Sequence, residues 1–145
     1  MKHNVIAFLL LSLLVVACSS SKIAPTADID MTIDMQRMLP LRSVWEDIEP
    51  AYRLEIHGNE VISYLPYVWG RSIEREKRLD TLNFTAIMRG FNASVNRHGQ
   101  KIYSFNVQHS VYTFNFFITI NDRGTALVEI SSDGCDPISF EGRVR

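Results

Sequence analysis

Two thiols in this chain of 145 residues could do chemistry, Cys18 and Cys135. Cys135 has aspartates two positions before it and one position after it, a set that could coordinate a cation or supply a nucleophile. A catalytic cysteine also needs a base, and no histidine is near Cys135 in the sequence. We therefore predict no catalytic residue, with an enzyme built on Cys135 as the alternative, and interpret Cys135 as a half-buried structural thiol.

The histidines and the short motifs do not indicate a metal site or a cofactor site either. His57, His98 and His109 lack the spacing to one another and to a carboxylate that zinc sites show. The sequence contains no phosphate-binding loop, nucleophile elbow or dinucleotide fingerprint. These observations predict neither a metal nor a cofactor.

Cys18 stands in a different context, at the end of the apolar run Val5–Ala17, which follows Lys2. The run is shorter than the roughly 20 residues of a membrane-spanning helix, and it fits the apolar region of a signal peptide. Val15-Val16-Ala17-Cys18 resembles the bacterial lipobox. That resemblance implies a diacylated thiol, cleavage before Cys18 and acylation of the new amino terminus. The alternatives are an ordinary secreted protein and a membrane helix that ends in cysteine.

The predicted lipid anchor indicates where the protein is located and how its domains are organised. Acyl chains contribute about 0.8 kcal/mol per buried methylene, so several chains hold a protein at a membrane. Ser19, directly after the cysteine, favours the outer membrane, facing the periplasm. We predict a signal peptide at 1–17, the lipidated Cys18 and a flexible tether over 18–28, and one all-β domain over 29–145.

Composition excludes some partners. The formal net charge is −1, and 21% of the residues are charged. A nucleic-acid binder would show a basic excess, so we predict no nucleic-acid partner. The segment 72–80 mixes acidic and basic residues, and we interpret it as a solvated loop rather than a contact with anionic lipid headgroups.

Alternation of apolar and polar residues, with a period of two, dominates from residue 29 onward. It predicts eight or nine antiparallel strands in a sandwich or a partly closed barrel. We expect a hairpin turn at 57–59, another at 96–101 with Gly99 at positive φ, and a break at Gly90 between two strands. The segment between Pro40 and Pro50 is predicted as a loop or one or two helical turns. The predicted inward rows are Ile29/Met31/Ile33/Met35, Tyr52/Leu54/Ile56, Leu82/Phe84/Ala86/Met88, Tyr103/Phe105/Val107, Tyr112/Phe114/Phe116/Ile118/Ile120, Ala126/Val128/Ile130 and Ile138/Phe140/Val144.

Two short segments carry a family resemblance. SYLPYVWGR at 63–71 and ISFEG at 138–142, with LNF at 82–84 between them, resemble the signatures of domain of unknown function family 4251. The resemblance covers roughly residues 29–145. It implies a small lipoprotein or secreted protein of Bacteroidetes and implies no activity.

The first of these segments also supplies a candidate binding surface. Tyr64, Tyr67 and Trp69 with Arg71 could form an aromatic platform with a guanidinium rim, able to bind a sugar, a peptide or a lipid headgroup. The other interpretation, which we favour, is a plug that covers one end of the β core. Asp80-Thr81-Leu82 matches the tripeptide that Bacteroidetes glycosylate, which makes Thr81 a candidate for an O-glycan.

The sequence thus predicts a membrane-anchored envelope lipoprotein that acts as a non-enzymatic binding or assembly module. Its partners would be the membrane, through the lipid at Cys18, and an envelope protein or a glycan. The alternative is a carrier that holds a small hydrophobic ligand inside a β-barrel.

Overall fold

The computed structural model describes residues 28–67 and 82–145, and in those ranges it contains nine β-strands and no helix. It therefore has no helix there that is long and apolar enough to cross a membrane. The strands are β1 Asp30–Pro40, β2 Glu46–Asp47, β3 Arg53–His57, β4 Glu60–Tyr64, β5 Asn83–Val95, β6 Lys101–His109, β7 Tyr112–Ile120, β8 Thr125–Ser132 and β9 Cys135–Val144. The all-β prediction is confirmed.

Eight of the strands form a closed antiparallel barrel. They are paired in the order β1-β3-β4-β5-β6-β7-β8-β9, and β9 pairs back onto β1. The remaining strand, β2, is a short addition on the distal half of β1, at Arg37 and Met38. Of the two predicted architectures the barrel is the one observed, and it is fully rather than partly closed. The segment between Pro40 and Pro50 contains the two residues of β2 and forms no helical turn.

Closure takes place where β1 bends between its two neighbours. The first half of β1 pairs with β3, and a register shift between Met35 and Arg37 lets the strand continue along β9. Gly142 of β9 lies opposite Met35 at this shift. A Cβ on Gly142 would clash with the backbone of Asp34, so the missing side chain is what allows β1 and β9 to approach.

One strand prediction was wrong. Residues 82–88 and 91–96 were expected to form two strands separated by Gly90, but β5 runs through both. Gly90 has φ of 62° and lies in a register shift between Arg89 and Asn92. The glycine therefore creates a bulge that bends the strand. At the following turn Gly99 has φ of 76°, as predicted.

The interior of the barrel is filled by side chains. The alternating apolar residues point inward, and Phe114, Phe116 and Phe140 are all at most 1% exposed. Ring centroids lie 5.1 Å apart for Phe105 and Phe116 and 5.8 Å apart for Phe84 and Phe114. These are contact distances for aromatic pairs, between partners on β6 and β7 in the first case and between β5 and β7 in the second. Ile33 of β1, Leu54 of β3 and Val128 of β8 are 0% exposed as well, so no water-sized space adjoins these inward side chains.

The two ends of the barrel differ. The tether end, as we name it, carries the start of β1 at Asp30 and the turns at 57–60, 96–100 and 121–124. The loop end carries the connection from β4 to β5 and the turns at 109–112 and 132–135. The predicted lipid anchor would reach the domain at the tether end, and the family segment that begins at Ser63 lies at the loop end.

Candidate functional site

The described part of the first family segment, residues 63–67, lies at the loop end. Leu65, Pro66 and Tyr67 are buried directly after β4. The Tyr67 hydroxyl donates a hydrogen bond to the backbone carbonyl of Asp136, at 3.0 Å. The backbone N–H of Leu65 donates to Oδ1 of Asn83, at 3.1 Å. Tyr67 is 3% exposed, so its ring belongs to the core, and the geometry of these three residues is that of a plug.

Two serine hydroxyls are buried at the loop end, and only that of Ser63 has a hydrogen-bond partner among the described residues. Ser63 is 3% exposed and its hydroxyl donates to the carbonyl of Leu82, at 2.6 Å. Oγ of Ser132 is also buried, and it has no hydrogen-bond partner in the described part of the chain. The pair provides a comparison of bonded and unbonded serines in one barrel.

Cys135 lies next to Tyr67 at the start of β9. It is a free, half-buried thiol, and burial raises its pKa. Burial also raises the pKa of the neighbouring Tyr67 phenol. A raised pKa keeps the thiol protonated at neutral pH, whereas a nucleophilic cysteine needs its thiolate.

Tyr64 faces the other way. It is 45% exposed and stacks on Tyr52, with ring centroids 5.4 Å apart. Of the four residues of the candidate aromatic platform, the structure therefore places one ring on the surface and one in the core. Trp69 and Arg71 lie outside the described residues, as do Cys18 and Thr81.

A second aromatic contact lies on the outside of β1. The guanidinium carbon of Arg37 is 5.2 Å from the centre of the Trp45 ring, a cation–π geometry. Arg37 also reaches Asp47, at 3.8 Å, and Glu141, at 3.6 Å. These exposed pairs contribute little stability each, and they position β2 against β1.

The histidines are dispersed. His57 lies on the outer surface between Asp30, at 2.7 Å, and Glu55, at 3.2 Å, while His109 stacks on Phe84 at the loop end, with centroids 4.9 Å apart. Hydrogen bonds to Glu55 and then to Asp30 raise the pKa of His57. Over 28–67 and 82–145, no three histidine, cysteine or carboxylate side chains converge in a way that could hold a metal ion.

One surface groove was not anticipated from the sequence. A groove of about 480 Å³ lies on the outside of the sheet formed by β6 to β9. Among the residues that line it is Phe117, an outward-facing residue that is 42% exposed. We name it the Phe117 groove, and its outward-facing side chains are Ser104, Asn106, Asn115, Phe117, Glu129, Ser131 and Ser139, with the exposed Pro137 beside them. The one sequence signal was the aromatic at 117 directly after inward-facing Phe116, which breaks the alternation.

Comparison with known proteins identifies the family and the fold. The model of the family described as "Domain of unknown function (DUF4251)" matches residues 28–144. Comparison with curated proteins gives no match. A solved structure described as a DUF4251 family protein from Bacteroides eggerthii DSM 20697 is similar, with a TM-score of 0.61 and 9% sequence identity over 81% of this chain and 79% of that one. At this identity the likeness concerns the fold. The family match covers most of the sequence, and the chain belongs to the DUF4251 family.

Proposed function

We propose that this protein is a lipid-anchored cell-envelope protein whose barrel acts as a binding or assembly module through its outer surface. The observation that carries the proposal is the filled interior. A barrel that carries a ligand keeps a cavity among its inward side chains. Here inward side chains from β1, β3, β7, β8 and β9 are at most 1% exposed, which leaves the outer surface for recognition.

The interior also weighs against the carrier alternative. Small ligands occupy pockets of roughly 300 Å³ or more. To open that space in this barrel, inward side chains such as Phe114, Phe116 and Phe140, which are at most 1% exposed, would have to move apart. Two grooves, of about 510 and 480 Å³, lie on the surface, against the outside of β1 and of β6 to β9. A third, also of about 480 Å³, opens at the tether end, where the inward-facing Met31, Tyr103 and Ile120 line it together with residues of the turns.

The sequence at Cys18 supports the anchor and the envelope location. Ten residues separate Cys18 from Ile29, and a chain of that length extends to about 35 Å at most. The domain would thus remain within a few tens of ångströms of the membrane, with its tether end towards the lipid. The short strand β2 and the loop end would face away from the membrane.

A non-enzymatic role is supported by the state of Cys135. The thiol has a raised pKa and lies beside a buried phenol rather than beside a base. Cys135 is then a packing residue, and a Cys135→Ala variant should keep whatever role the protein has.

The anchor is tested by labelling. Cells that export and acylate the full chain are grown with an alkyne fatty acid, and the membrane and soluble fractions are compared for wild type and Cys18→Ser. We expect label and membrane association for the wild type and loss of both in the variant, with Cys135→Ser as the matched control that keeps them. Equal labelling of wild type and Cys18→Ser would exclude the anchor.

The binding role is tested by cross-linking in the same cells. A short amine-reactive cross-linker should join the wild-type chain to a specific envelope partner or to a second copy, in a band that survives mild changes in expression level. A steady turnover of a common envelope substrate by the purified full chain, retained in the presence of chelator and lost on mutation of Cys135, would overturn the proposal in favour of an enzyme.

A further inference from the structure

The Phe117 groove is built from side chains that the strand register brings side by side. Phe117 of β7 is directly opposite Ser104 of β6 and Glu129 of β8. The next row towards the loop end consists of Asn106, Asn115 and Ser131, in the same strand order. Directly opposite residues have Cβ atoms about 5 Å apart. The polar groups therefore flank the ring on both neighbouring strands and on its loop-end side, on the scale of a single sugar unit.

The polar groups of the groove are available to a ligand. In the part of the chain that the structure describes, none of the side chains of Asn106, Asn115 and Glu129 has a hydrogen-bond partner within the protein. A carboxamide offers two donors and one acceptor, and a carboxylate offers acceptors alone. Adjacent hydroxyls of a sugar can pair with both kinds of group at once.

Gly90 keeps the groove open beside β6. It lies in the bulge of β5, and a Cβ added to it would come 3.1 Å from Nδ2 of Asn106. The amide of Asn106 is thus held over a residue without a side chain, facing the groove. The same bulge that bends β5 gives this amide its space.

Charge and polarity narrow the class of ligand. Of the residues within 28–67 and 82–145, Glu129 is the one charged side chain that lines the groove. Phosphate groups, nucleic acid and anionic lipid headgroups need cationic partners. No cationic side chain lines the groove among the described residues, although Arg89 of β5 lies next to it, directly opposite Asn106. An apolar ligand would bury the amides without partners, at a cost of about 1–3 kcal/mol for each group. A neutral ligand with an apolar face and many hydroxyls fits both conditions.

We propose that the Phe117 groove binds neutral carbohydrate. Phe117 packs against the C–H face of a sugar ring, and Asn106, Asn115 and Glu129 hydrogen-bond its hydroxyls. This inference rests on the proposed function, since it identifies the substrate class of a surface-binding module. The groove volume of about 480 Å³ is within the range of small-molecule sites.

The test is direct binding to sugars of defined structure. The full chain is solubilised in lauryldimethylamine oxide, which carries no sugar, and passed over immobilised cellohexaose, chitohexaose, mannohexaose, xylohexaose and maltohexaose. We expect saturable binding to at least one hexasaccharide. Phe117→Ser and the double variant Asn106→Ala/Asn115→Ala should each weaken that binding tenfold or more, whereas Phe117→Trp should retain it because a ring remains.

The matched control is Ile87→Ser. Ile87 is an outward apolar residue of β5 that is 52% exposed and lies outside the groove. Its variant should bind within twofold of wild type, and thermal melts should show all variants folded. Absence of binding to every hexasaccharide, or wild-type binding by Phe117→Ser, would overturn the inference.

Failure of this inference is distinguishable from failure of the proposed function. If no sugar binds but the cross-linked partner persists in Phe117→Ser, the module binds elsewhere, and the carbohydrate proposal alone is wrong. If no sugar binds and Phe117→Ser abolishes the cross-link, the groove is a protein interface, and the carbohydrate proposal is again wrong. If the wild-type protein neither binds a sugar nor forms a cross-link, both proposals are contradicted.

Discussion

Replacing Gly142 with alanine should destabilise the barrel more than any other glycine-to-alanine change in the described residues. A Cβ at this position overlaps the backbone carbonyl of Asp34 and lies 3.1 Å from Cα of Met35. Neither neighbour can move easily, because β1 is hydrogen-bonded to both β3 and β9 around this point. The strain should therefore be relieved by separating β1 from β9 at the site of closure.

The loss of stability in Gly142→Ala has two components. Overpacking in a filled core costs about 1–3 kcal/mol. Lengthening one or two ladder hydrogen bonds adds about 0.5–1.5 kcal/mol for each bond. The sum is about 3 kcal/mol, a large part of the roughly 5–15 kcal/mol that holds a domain folded. For a domain of this size it corresponds to a fall in Tm of roughly 10 °C.

Gly99→Ala is the matched control, measured by urea denaturation and thermal melting of the full chain. Gly99 has φ of 76°, and no atom lies within 4 Å of an added Cβ. Gly99→Ala therefore causes no clash and loses only the free energy of holding an alanine at positive φ, about 1–2 kcal/mol. We expect Gly142→Ala to lower the free energy of unfolding clearly more than Gly99→Ala. Equal effects would refute the argument that close approach of β1 and β9 explains the glycine of the second family segment.

Three further predictions follow from the same structure. Ser63→Ala should lower the free energy of unfolding by about 1–3 kcal/mol, because it leaves the buried carbonyl of Leu82 without its donor. Ser132→Ala should be neutral or stabilising, because the Ser132 hydroxyl has no hydrogen-bond partner among the described residues. Equal losses for the two variants in urea titrations would contradict this prediction. His57→Gln should destabilise the protein more at pH 5.5 than at pH 9. The pKa of His57 is raised above 6.5 in the folded state, so the stabilisation from protonated His57 is present below pH 6.5 and is lost as the pH rises through the folded pKa. A difference in stability between variant and wild type that does not change with pH would count against the carboxylate contacts. Denaturing mass spectrometry of the native protein should show mass beyond polypeptide and acyl chains that disappears in Thr81→Ala, and a wild-type mass without such an excess would remove the O-glycan.

The strands were predictable because their signal is local. Alternation along Tyr112–Ile120 determines which side of β7 is apolar, and the burial of Phe114, Phe116 and Ile118 follows from it. Closure was not predictable, because it depends on pairing between β1 and β9, which are distant in sequence. Gly90 was misread for a related reason: a glycine that ends a strand and one that forms a bulge look alike in sequence.

The candidate site was predictable in part. The segment beginning at Ser63 was recognisable, yet alternation could not tell that Tyr64 faces solvent while Tyr67 reaches the carbonyl of Asp136 across 69 positions of sequence. The polar groups around Phe117 come from four strands, β6 to β9, and only their register brings them together. Asn106 and Asn115 therefore looked like ordinary solvent-facing residues in the sequence.

The central claim, that a packed barrel leaves recognition to its outer surface, is tested most directly by the mass of the intact protein. The full chain is purified from membranes, and its native mass, after detergent is removed by collisional activation, is compared with its denatured mass. A packed barrel should give equal masses for each monomer, with the acyl chains at Cys18 present in both. A native mass that exceeds the denatured mass by one lipid-sized molecule per chain would show a ligand held inside the barrel and would contradict the claim.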